Sequence, residues 1–410
     1  MHHKTKTSAH PLVTILALLL TPALTRAQWD IQESHTTASL RGVANVGGGV
    51  AWASGTEGTV LRTEDGGYLW QTCATPPGAE KLDFRGIQAF DENTAIVMSS
   101  GKGDLSRLYK TTDGCRTWKL LFTNPDPEGF WDAMSFWTPS TATHLKSEGV
   151  LIGDPVGGSF PIFVSADGGA NWKRWGGAGS RDGTTCAENQ PNASSNEALF
   201  AASNESLSQF FGSSLLFVTG GPSGARLFYS DSSSLFGDLG GPCKTHFATI
   251  KLPLAHGNSS SGAFAIAVEN KQSYFPLKLI IVGGDYTKPH QTSGTAAYVA
   301  SKDGMHLPMS SYFNVTTPQT PPHGYRSAVA YDPTTKTWIT IGPNGTDISR
   351  DDGRNWIPLK PTPPEPQNAD KSWNALSLPF VVGPKGRIGK LRDNAIPTAA
   401  SSKEEKDKKD

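Results

Sequence analysis

Four acidic residues lie where short apolar segments begin or end, and their carboxyl groups could perform acid–base chemistry. Glycoside hydrolysis requires two such groups about 5 to 9 Å apart, one acting as the acid and the other as a nucleophile or base. The spacing along the chain does not select which two would pair, so a glycoside hydrolase is kept as an alternative function. The four candidates are Asp132, Asp154, Glu197 and Asp285.

A larger polar and aromatic set could bind a ligand without reacting with it. Arginine recognises carboxylates and similar anions through its planar guanidinium, and binding sites combine aromatic side chains with a few polar groups. The same composition would arise if the mouth of a closed channel simply contained paired ions. It therefore indicates binding more than a reaction. The set comprises Arg41, Arg85, Trp131, Asp132, Asp154, Glu197, Asn204, Arg226, Asp285, Tyr286, Arg326, Asn344, Asp347 and Asn374.

Several chemistries find no support in the sequence. It contains no HExxH, no CxxC and no glycine-rich phosphate loop between a strand and a helix, so it predicts no metal and no cofactor. Lys+Arg 37 and Asp+Glu 37 give a formal net charge of zero, which leaves no basic excess for binding nucleic acid. The predicted partner is a protein or a carbohydrate, bound by a monomer.

A phrase of the form Ser/Thr-x-Asp-x-Gly-x-x-Trp recurs along the chain and predicts the turns that organise it. Asp can accept hydrogen bonds from turn amides, glycine can adopt positive φ, and Trp can pack between sheets. Because turn formation accounts for every position, these carboxylates are interpreted as structural. A degenerate copy, SKDG, begins at Ser301. The residues concerned in the clear copies are Asp65, Trp70, Asp113, Trp118, Asp167, Trp172, Asp351 and Trp356.

The strands around these turns predict an all-β, seven-bladed β-propeller with four antiparallel strands per blade. Seven segments such as FRGIQAF supply the inner strands, and ALFAAS from Ala198 is the expected inner strand of blade four. The last unit lacks its outer strand, so we expect the segment from Trp29 to Gln32 to complete it and close the ring. Polar residues at the starts of the inner strands should then share one face, opposite the Asp-containing turns.

Both ends of the chain and its cysteines carry further predictions. Residues 1–27 have the three-part layout of a signal peptide with cleavage near Ala27, which predicts an exported, periplasmic or secreted protein without a transmembrane segment. Residues 28–392 form the predicted propeller, and 393–410 form a charged, disordered tail. The four cysteines allow three pairings, and we favour Cys73 with Cys115 and Cys186 with Cys243, because each pair would join neighbouring units.

The recurring phrase resembles the Asp-box, or BNR, repeat of the sialidase-like superfamily. Together with FWDAMSF, GDPVGGSFPIFVSADGGANW and HGYRSAVA, the set is similar to the photosystem II stability and assembly factor-like family of exported seven-bladed propellers. That resemblance implies a non-catalytic scaffold that binds an assembling protein through an arginine-lined patch, where Arg41, Arg85 and Arg326 occupy comparable positions. Asp-box sialidases resemble this chain in the recurring turn, but they are six-bladed and carry an Arg-Ile-Pro phrase. This chain has seven predicted blades and lacks that phrase. Sialidase chemistry is therefore not expected.

Overall fold

Seven four-stranded antiparallel sheets form a closed ring in the computed structural model. Each inner strand contacts the inner strands of the two neighbouring sheets, and the last contacts the first. The structure describes residues 28–137, 147–176, 190–210, 214–230, 245–271, 277–301, 313–361, 368–393 and 395–396. Several predicted features lie outside these residues. They are the signal peptide, nearly all of the charged tail, Cys186, Cys243 and most of the degenerate turn that begins at Ser301.

The strands of blades one to three run in chain order from the channel outwards. They are β2 (Leu40–Gly47), β3 (Val50–Gly55), β4 (Val60–Thr63) and β5 (Gln71–Thr72), then β6 (Phe84–Ala89), β7 (Ala95–Ser99), β8 (Arg107–Thr111) and β9 (Lys119–Thr123), then β10 (Trp131–Trp137), β11 (Glu148–Gly153), β12 (Ile162–Ser165) and β13 (Lys173–Arg174). A 3-10 helix spans Gly103–Leu105.

Blades four to seven follow the same order, except that the first strand of the chain completes blade seven. They contain β14 (Leu207–Phe210), β15 (Ser214–Val218), β16 (Ala225–Ser230) and β17 (Phe247–Leu252), then β18 (Ser261–Val268), β19 (Lys278–Asp285), β20 (Ala296–Ser301) and β21 (Phe313–Thr316), then β22 (Ala328–Asp332), β23 (Thr337–Gly342), β24 (Gly345–Ser349) and β25 (Ile357–Leu359), then β26 (Ala375–Ser377), β27 (Phe380–Val382), β28 (Ile388–Leu391) and β1 (Trp29–Gln32).

Pairing between β1 and β28 closes the ring, as the sequence predicted. The two strands are antiparallel, with Trp29 opposite Leu391 and Gln32 opposite Ile388. The Trp29 ring packs on Trp373 at 5.9 Å between centroids, and its Nε1 donates a hydrogen bond of 3.0 Å to Thr346 Oγ1 of blade six. The seven-bladed, four-stranded fold and its N-terminal closure are therefore confirmed.

Apolar layers between adjacent blades hold the ring together. Strand side chains alternate between the two faces of a sheet, so each blade contributes one face to each neighbouring interface. The buried apolar side chains divide into seven clusters, and each cluster joins two neighbouring blades. The core of this protein is thus repeated around the channel instead of forming one centre.

The four Asp-containing turns share one hydrogen-bond pattern. In the first, Thr63 Oγ1 donates to Asp65 Oδ1 at 2.8 Å, and the Gly67 amide donates to Thr63 Oγ1 at 3.0 Å. The Leu69 amide then donates to Asp65 Oδ1 at 3.0 Å, which binds the carboxylate within its own turn. Equivalent bonds occur around Asp113, Asp167 and Asp351.

The tryptophans that follow these turns pack within or beside the blade interfaces. Trp70 lies edge-on to Phe380 at 5.6 Å, and Trp172 lies edge-on to Phe136 at 5.9 Å. Trp118 Nε1 donates to the Ala74 carbonyl at 2.8 Å, and Trp356 is buried. Close to the second of these turns, Cys73 and Cys115 form the predicted disulfide between blades one and two.

Blade four departs from the prediction. Its inner strand is β14, from Leu207, and not the ALFAAS segment. The positive φ of 66° at Asn204 interrupts an extended path, and polar side chains nearby bind the backbones of other blades instead of a neighbouring strand. Residues 198–206, here named the plug, therefore cross the mouth of the channel. Asn204 accordingly lies before the inner strand, not at its end.

Contacts with four other blades fix the plug. Ser203 Oγ donates to the Ser327 carbonyl at 2.8 Å, and the Arg85 guanidinium donates to the Ala201 carbonyl at 3.2 Å. The Asn204 side chain accepts from the amide of Met134 at 2.8 Å and donates to its carbonyl at 3.0 Å. The Phe200 ring stacks on Phe264 of blade five at 3.9 Å.

Within the described residues, no helix is both long and apolar enough to span a bilayer.

Candidate functional site

The face on which the inner strands begin, here named the entry face, carries most of the predicted site residues around the plug. Strand direction explains this placement, because the loops that enter the inner strands and the loops joining the second and third strands emerge on the same side. The structure separates these residues into five clusters, each with its own partners. Their chemistry differs from one cluster to the next.

Two arginines of blades one and two share one carboxylate. Arg41 Nε lies 3.1 Å from Asp83 Oδ1, and Arg85 Nε lies 2.8 Å from Asp83 Oδ2. Both arginine side chains are 29% exposed, so their outer N–H groups face solvent. Burial lowers the pKa of Arg41 and Asp83 opposes that effect, so the guanidinium stays charged. The cluster carries one net positive charge, and Asp83 is a member that the sequence analysis missed.

Asp132, which is buried, and Asp154, which is half-buried, form an acidic pair behind the plug. Asp154 Oδ1 accepts a hydrogen bond of 3.0 Å from the Leu199 amide, whereas Asp132 Oδ2 has no hydrogen-bond partner among the described residues. Burial and the charge of Asp154 raise the pKa of Asp132, against an opposing effect of Arg85. Burial also raises the pKa of Asp154 to about 6. The pair therefore retains a proton near neutral pH.

Glu197 is occupied by an arginine of its own blade. Its carboxylate forms an ion pair with Arg226, whose Nε lies 2.8 Å from Glu197 Oε1. The Thr219 hydroxyl and the Ser194 amide donate to the same carboxylate at 2.5 and 2.7 Å. The Arg226 guanidinium also lies 4.4 Å from the ring centroid of Phe228. A carboxylate with all these donors is positioned as a structural anchor.

Asp285 lies in a polar corner at the edge of a cavity. Burial would raise its pKa, but hydrogen bonds from Thr287, Ser260 and Asn258 outweigh that effect and lower it. The cavity measures about 810 Å³ and lies beside blade five. Tyr286, next to it, is 52% exposed. The cavity is lined in part by His256, Asn258, Asp285, Lys288, Gln291 and Pro318.

Arg326 and Asp347 form a buried ion pair in blade six. Arg326 Nε donates to Asp347 Oδ2 at 2.9 Å, and His323 Nδ1 lies 2.7 Å from Asp347 Oδ1. Burial alone would raise the pKa of Asp347, but hydrogen bonds from His323 and Arg326 lower it. Asn344 Nδ2 donates to the Pro289 carbonyl at 2.5 Å. These groups stabilise the blade edge.

Several predicted ligand-binding residues do not reach the surface, and the clearest cases are Arg326 and Trp131. Arg326 is fully buried, because its guanidinium is enclosed by Asp347 and by the backbone of its own loop. Trp131 is also fully buried, since the alternation of its strand turns the ring into the interface of blades two and three, where it stacks on Phe122 at 5.4 Å. Asn374 is half-buried and donates to the Leu40 carbonyl at 2.7 Å.

The arrangement offers little for hydrolysis. Of the four acids considered for it, the structure brings together Asp132 and Asp154, while Glu197 and Asp285 have separate partners. Asp132 is 1% exposed and lies under the plug, where a sugar ring has no access. Among the described residues, no group of three or more His, Cys, Asp or Glu side chains could hold a metal ion.

The fold and the entry face define a seven-bladed β-propeller with a plugged channel and an arginine-bearing rim. YCF48 from Cyanidioschyzon merolae has this fold, with a TM-score of 0.54 and 18% identity over 89% of this chain and 99% of that one. YCF48 bound to D1 peptide matches with a TM-score of 0.53 and 15% identity over 91% of this chain and 99% of the other. These matches confirm the predicted resemblance at the level of the fold.

A further structure broadens the comparison. The WD40 β-propeller domain of Doa1 matches with a TM-score of 0.50 and 12% identity, over 91% of this chain and 100% of that one. No family model matches the sequence, and no curated protein matches it. Because all three sequence identities are low, the structural likeness establishes the architecture of this chain and not its function.

Proposed function

We propose that this protein is a non-catalytic scaffold that binds an acidic segment of a protein partner on its entry face. The observation that carries the proposal is the cluster of Arg41, Asp83 and Arg85, in which two partly exposed guanidiniums share a single carboxylate. The remaining N–H groups can form bidentate hydrogen bonds with a carboxylate of the partner. The YCF48 structure with a bound D1 peptide supports a protein partner, because it has the same fold.

Scaffolding accounts for the entry face better than glycoside hydrolysis does. A glycosidase needs two carboxyl groups on either side of an accessible bond. Here Asp132 and Asp154 are covered by the plug, Glu197 is bound by Arg226, and Asp285 accepts three side-chain hydrogen bonds. A glycan partner remains an outcome of the binding test below. We further propose that the protein acts as a monomer after export, as its predicted leader implies.

Binding of labelled peptides tests the proposal. We expect an acidic decapeptide to bind the purified protein and a lysine-substituted version not to bind, as measured by fluorescence anisotropy at low salt. Arg41→Glu should weaken the acidic peptide at least about tenfold, or ~1.4 kcal/mol, because it reverses the charge that recognises the peptide.

Arg116→Glu is the matched control, because Arg116 is exposed on an Asp-containing turn of the opposite face. Its affinity for the acidic peptide should equal that of the wild type. Equal weakening by both variants would reveal a general charge effect and contradict a site on the entry face. Binding of neutral oligosaccharides, insensitive to Arg41→Glu, would favour the glycan alternative.

A further inference from the structure

Three loops of the entry face line the cavity beside blade five. They are residues 252–258, which lead from β17 towards β18, residues 285–294, which join β19 to β20, and residues 317–321, which follow β21. The cavity volume of about 810 Å³ lies within the usual range of ligand sites, roughly 300 to 1,000 Å³. Blade five lies across the ring from blades one and two, so the plug separates this cavity from Arg41 and Arg85.

One buried carboxylate lines this cavity. Asp285 supplies the only carboxylate among the described lining residues, and its side chain is 3% exposed. Its Oδ1 accepts hydrogen bonds from Ser260 Oγ at 2.7 Å and from the amide and hydroxyl of Thr287 at 3.0 and 2.6 Å. Its Oδ2 accepts one from Asn258 Nδ2 at 3.1 Å. Burial alone would raise the pKa of Asp285, but these donors lower it, so the carboxylate is ionised and Oδ2 has capacity for a further donor.

The cationic partner of Asp285 is held loosely. Lys288 Nζ lies 3.4 Å from Asp285 Oδ2, beyond the ~2.7 to 2.9 Å of a close charge-assisted hydrogen bond. The Lys288 side chain is 61% exposed, and it is the only lysine or arginine among the described lining residues. Such an ion pair contributes little, because water screens the exposed ammonium. A cation brought by a ligand can therefore replace Lys288 at Oδ2.

The surroundings of Oδ2 favour a guanidinium over a second ammonium. A ligand ammonium would repeat the single contact of Lys288, which has the advantage of being tethered to the site. A guanidinium presents five N–H donors in one plane and is more weakly hydrated. The exposed side chains of Gln291, Thr292 and Ser293 supply acceptors for its remaining N–H groups. The half-buried Pro318 offers apolar surface to its methylene stem.

We propose that this cavity binds an arginine side chain of the protein partner, with the guanidinium on Asp285 Oδ2 in place of the Lys288 ammonium. This inference rests on the proposed scaffold function, since the arginine belongs to the partner segment whose acidic residues contact Arg41 and Arg85. The segment then runs across the plug from its acidic residues to its arginine. A neutral or acidic side chain gains nothing from the buried carboxylate, so the cavity fixes the direction of the segment on the entry face.

Three capped tripeptides separate charge from shape. They are alanyl-arginyl-alanine, its citrulline counterpart, in which a neutral urea group replaces the guanidinium, and its lysine counterpart. Isothermal titration calorimetry on the full chain at an ionic strength of about 0.15 M should show the arginine peptide binding at least about tenfold more tightly than either of the others. None of the three carries an acidic residue, so they report on the cavity and not on the rim around Arg41.

Substitution of Lys288 gives a result that a general charge effect would not. Lys288→Gln removes the tethered competitor, so it should tighten binding of the arginine peptide at least about threefold and bring the lysine peptide to a measurable affinity. Lys371→Gln removes the same charge from another exposed position of the entry face, before β26, and should change neither affinity.

Substitution of the carboxylate tests the other half of the pair. Asp285→Asn should remove the preference for the arginine peptide over the citrulline peptide, because the amide carries no charge. Asp104→Asn is its control on the same face, since the Asp104 side chain is 76% exposed, and it should keep the wild-type preference. Circular dichroism checks that Asp285→Asn is folded. If that variant unfolds, the Lys288→Gln result decides, because an exposed lysine can be replaced without loss of the fold.

The outcomes distinguish this site from the scaffold function. Equal affinities of the wild type for the arginine and citrulline peptides, or no tightening by Lys288→Gln, would overturn the arginine site. If those results occurred while the acidic decapeptide still bound through Arg41, the scaffold proposal would stand without the cavity. Binding of the arginine peptide without binding of the acidic decapeptide would keep the cavity and contradict the acidic segment.

Discussion

Acidic side chains of the entry face are stabilised in two opposite ways. Asp285 and Asp347 accept hydrogen bonds that favour the ionised form, and the pKa of each is lowered despite burial. Asp132 and Asp154 lie close to each other with fewer donors, and burial raises the pKa of both. The first two acids therefore hold loops at neutral pH, whereas the second two oppose each other's ionisation.

The acidic pair predicts that stability falls as the pH rises. The pKa of Asp154 in the folded protein, about 6, lies above its ordinary value of 3.8, so the folded state binds more protons than the unfolded chain between these values. The free energy of unfolding should decrease by on the order of 1–3 kcal/mol from pH 4 to 7 because of this pair. Urea unfolding at several pH values measures it.

Asp132→Asn tests the assignment, because the amide cannot ionise and removes the repulsion from Asp154. The variant should be more stable than the wild type at pH 8 and closer to it at pH 4. Asp104→Asn is a control on a largely exposed carboxylate, and it should keep the wild-type pH dependence. A wild-type pH profile that Asp132→Asn leaves unchanged would show that the pair is not its source.

At the scale of elements, the plug is a segment that replaces the expected inner strand of blade four. Side chains supply most of its contacts with the other blades: Asn204 binds the Met134 backbone, Ser203 binds Ser327, and Arg85 binds Ala201. Because these contacts reach blades two, three and six, the segment lies across the channel at the entry face.

Asn204 is expected to be the most sensitive residue of the plug. Asn204→Ala should reduce the free energy of unfolding by about 2–3 kcal/mol, because it leaves two Met134 backbone groups unsatisfied and places alanine at positive φ. Asn204→Gly relieves the backbone strain but not the lost hydrogen bonds, so its loss should be smaller by about 1 kcal/mol. Chemical denaturation of both variants measures the difference. Equal losses would show that strain contributes nothing here.

How far the sequence predicts this structure depends on whether a feature repeats. The seven blades, their turns and the closure by β1 follow from recurring spacing and were predicted correctly. The path of the plug was not, because the apolar residues Leu199 and Phe200 suit either a strand or a segment stacked across a channel. The direction of Trp131 was missed for a similar reason, since a strand start can point its side chain to either face.

The members of the site that were missed are single residues without a repeated context. The sequence around Asp83 does not distinguish it from other acidic residues. Its role follows from its position between Arg41 and Arg85 in the folded ring. Arg326 was recognised as an arginine at an inner-strand start, but its burial against Asp347 required the fold. Contacts between residues that are distant in sequence decide both cases.

At the scale of the whole molecule, stability comes from seven similar interfaces arranged in a ring. Each apolar cluster joins two blades, so opening one interface exposes the apolar faces of two sheets. The interface that joins the two ends of the described chain depends on four residues of β1. It is therefore the place where a small change should have the largest effect on the entire ring.

Truncation of one β1 side chain tests the closure. Trp29 is 2% exposed, packs on Trp373 and donates to Thr346, so Trp29→Ala removes a large buried ring from the junction of blades six and seven. The free energy of unfolding should fall by about 3–5 kcal/mol, as for other buried aromatic truncations. Ile31→Ala is the matched control, because Ile31 lies on the same strand and is 48% exposed. If chemical denaturation gave the two variants equal stability, the ring would not depend on the packing of β1.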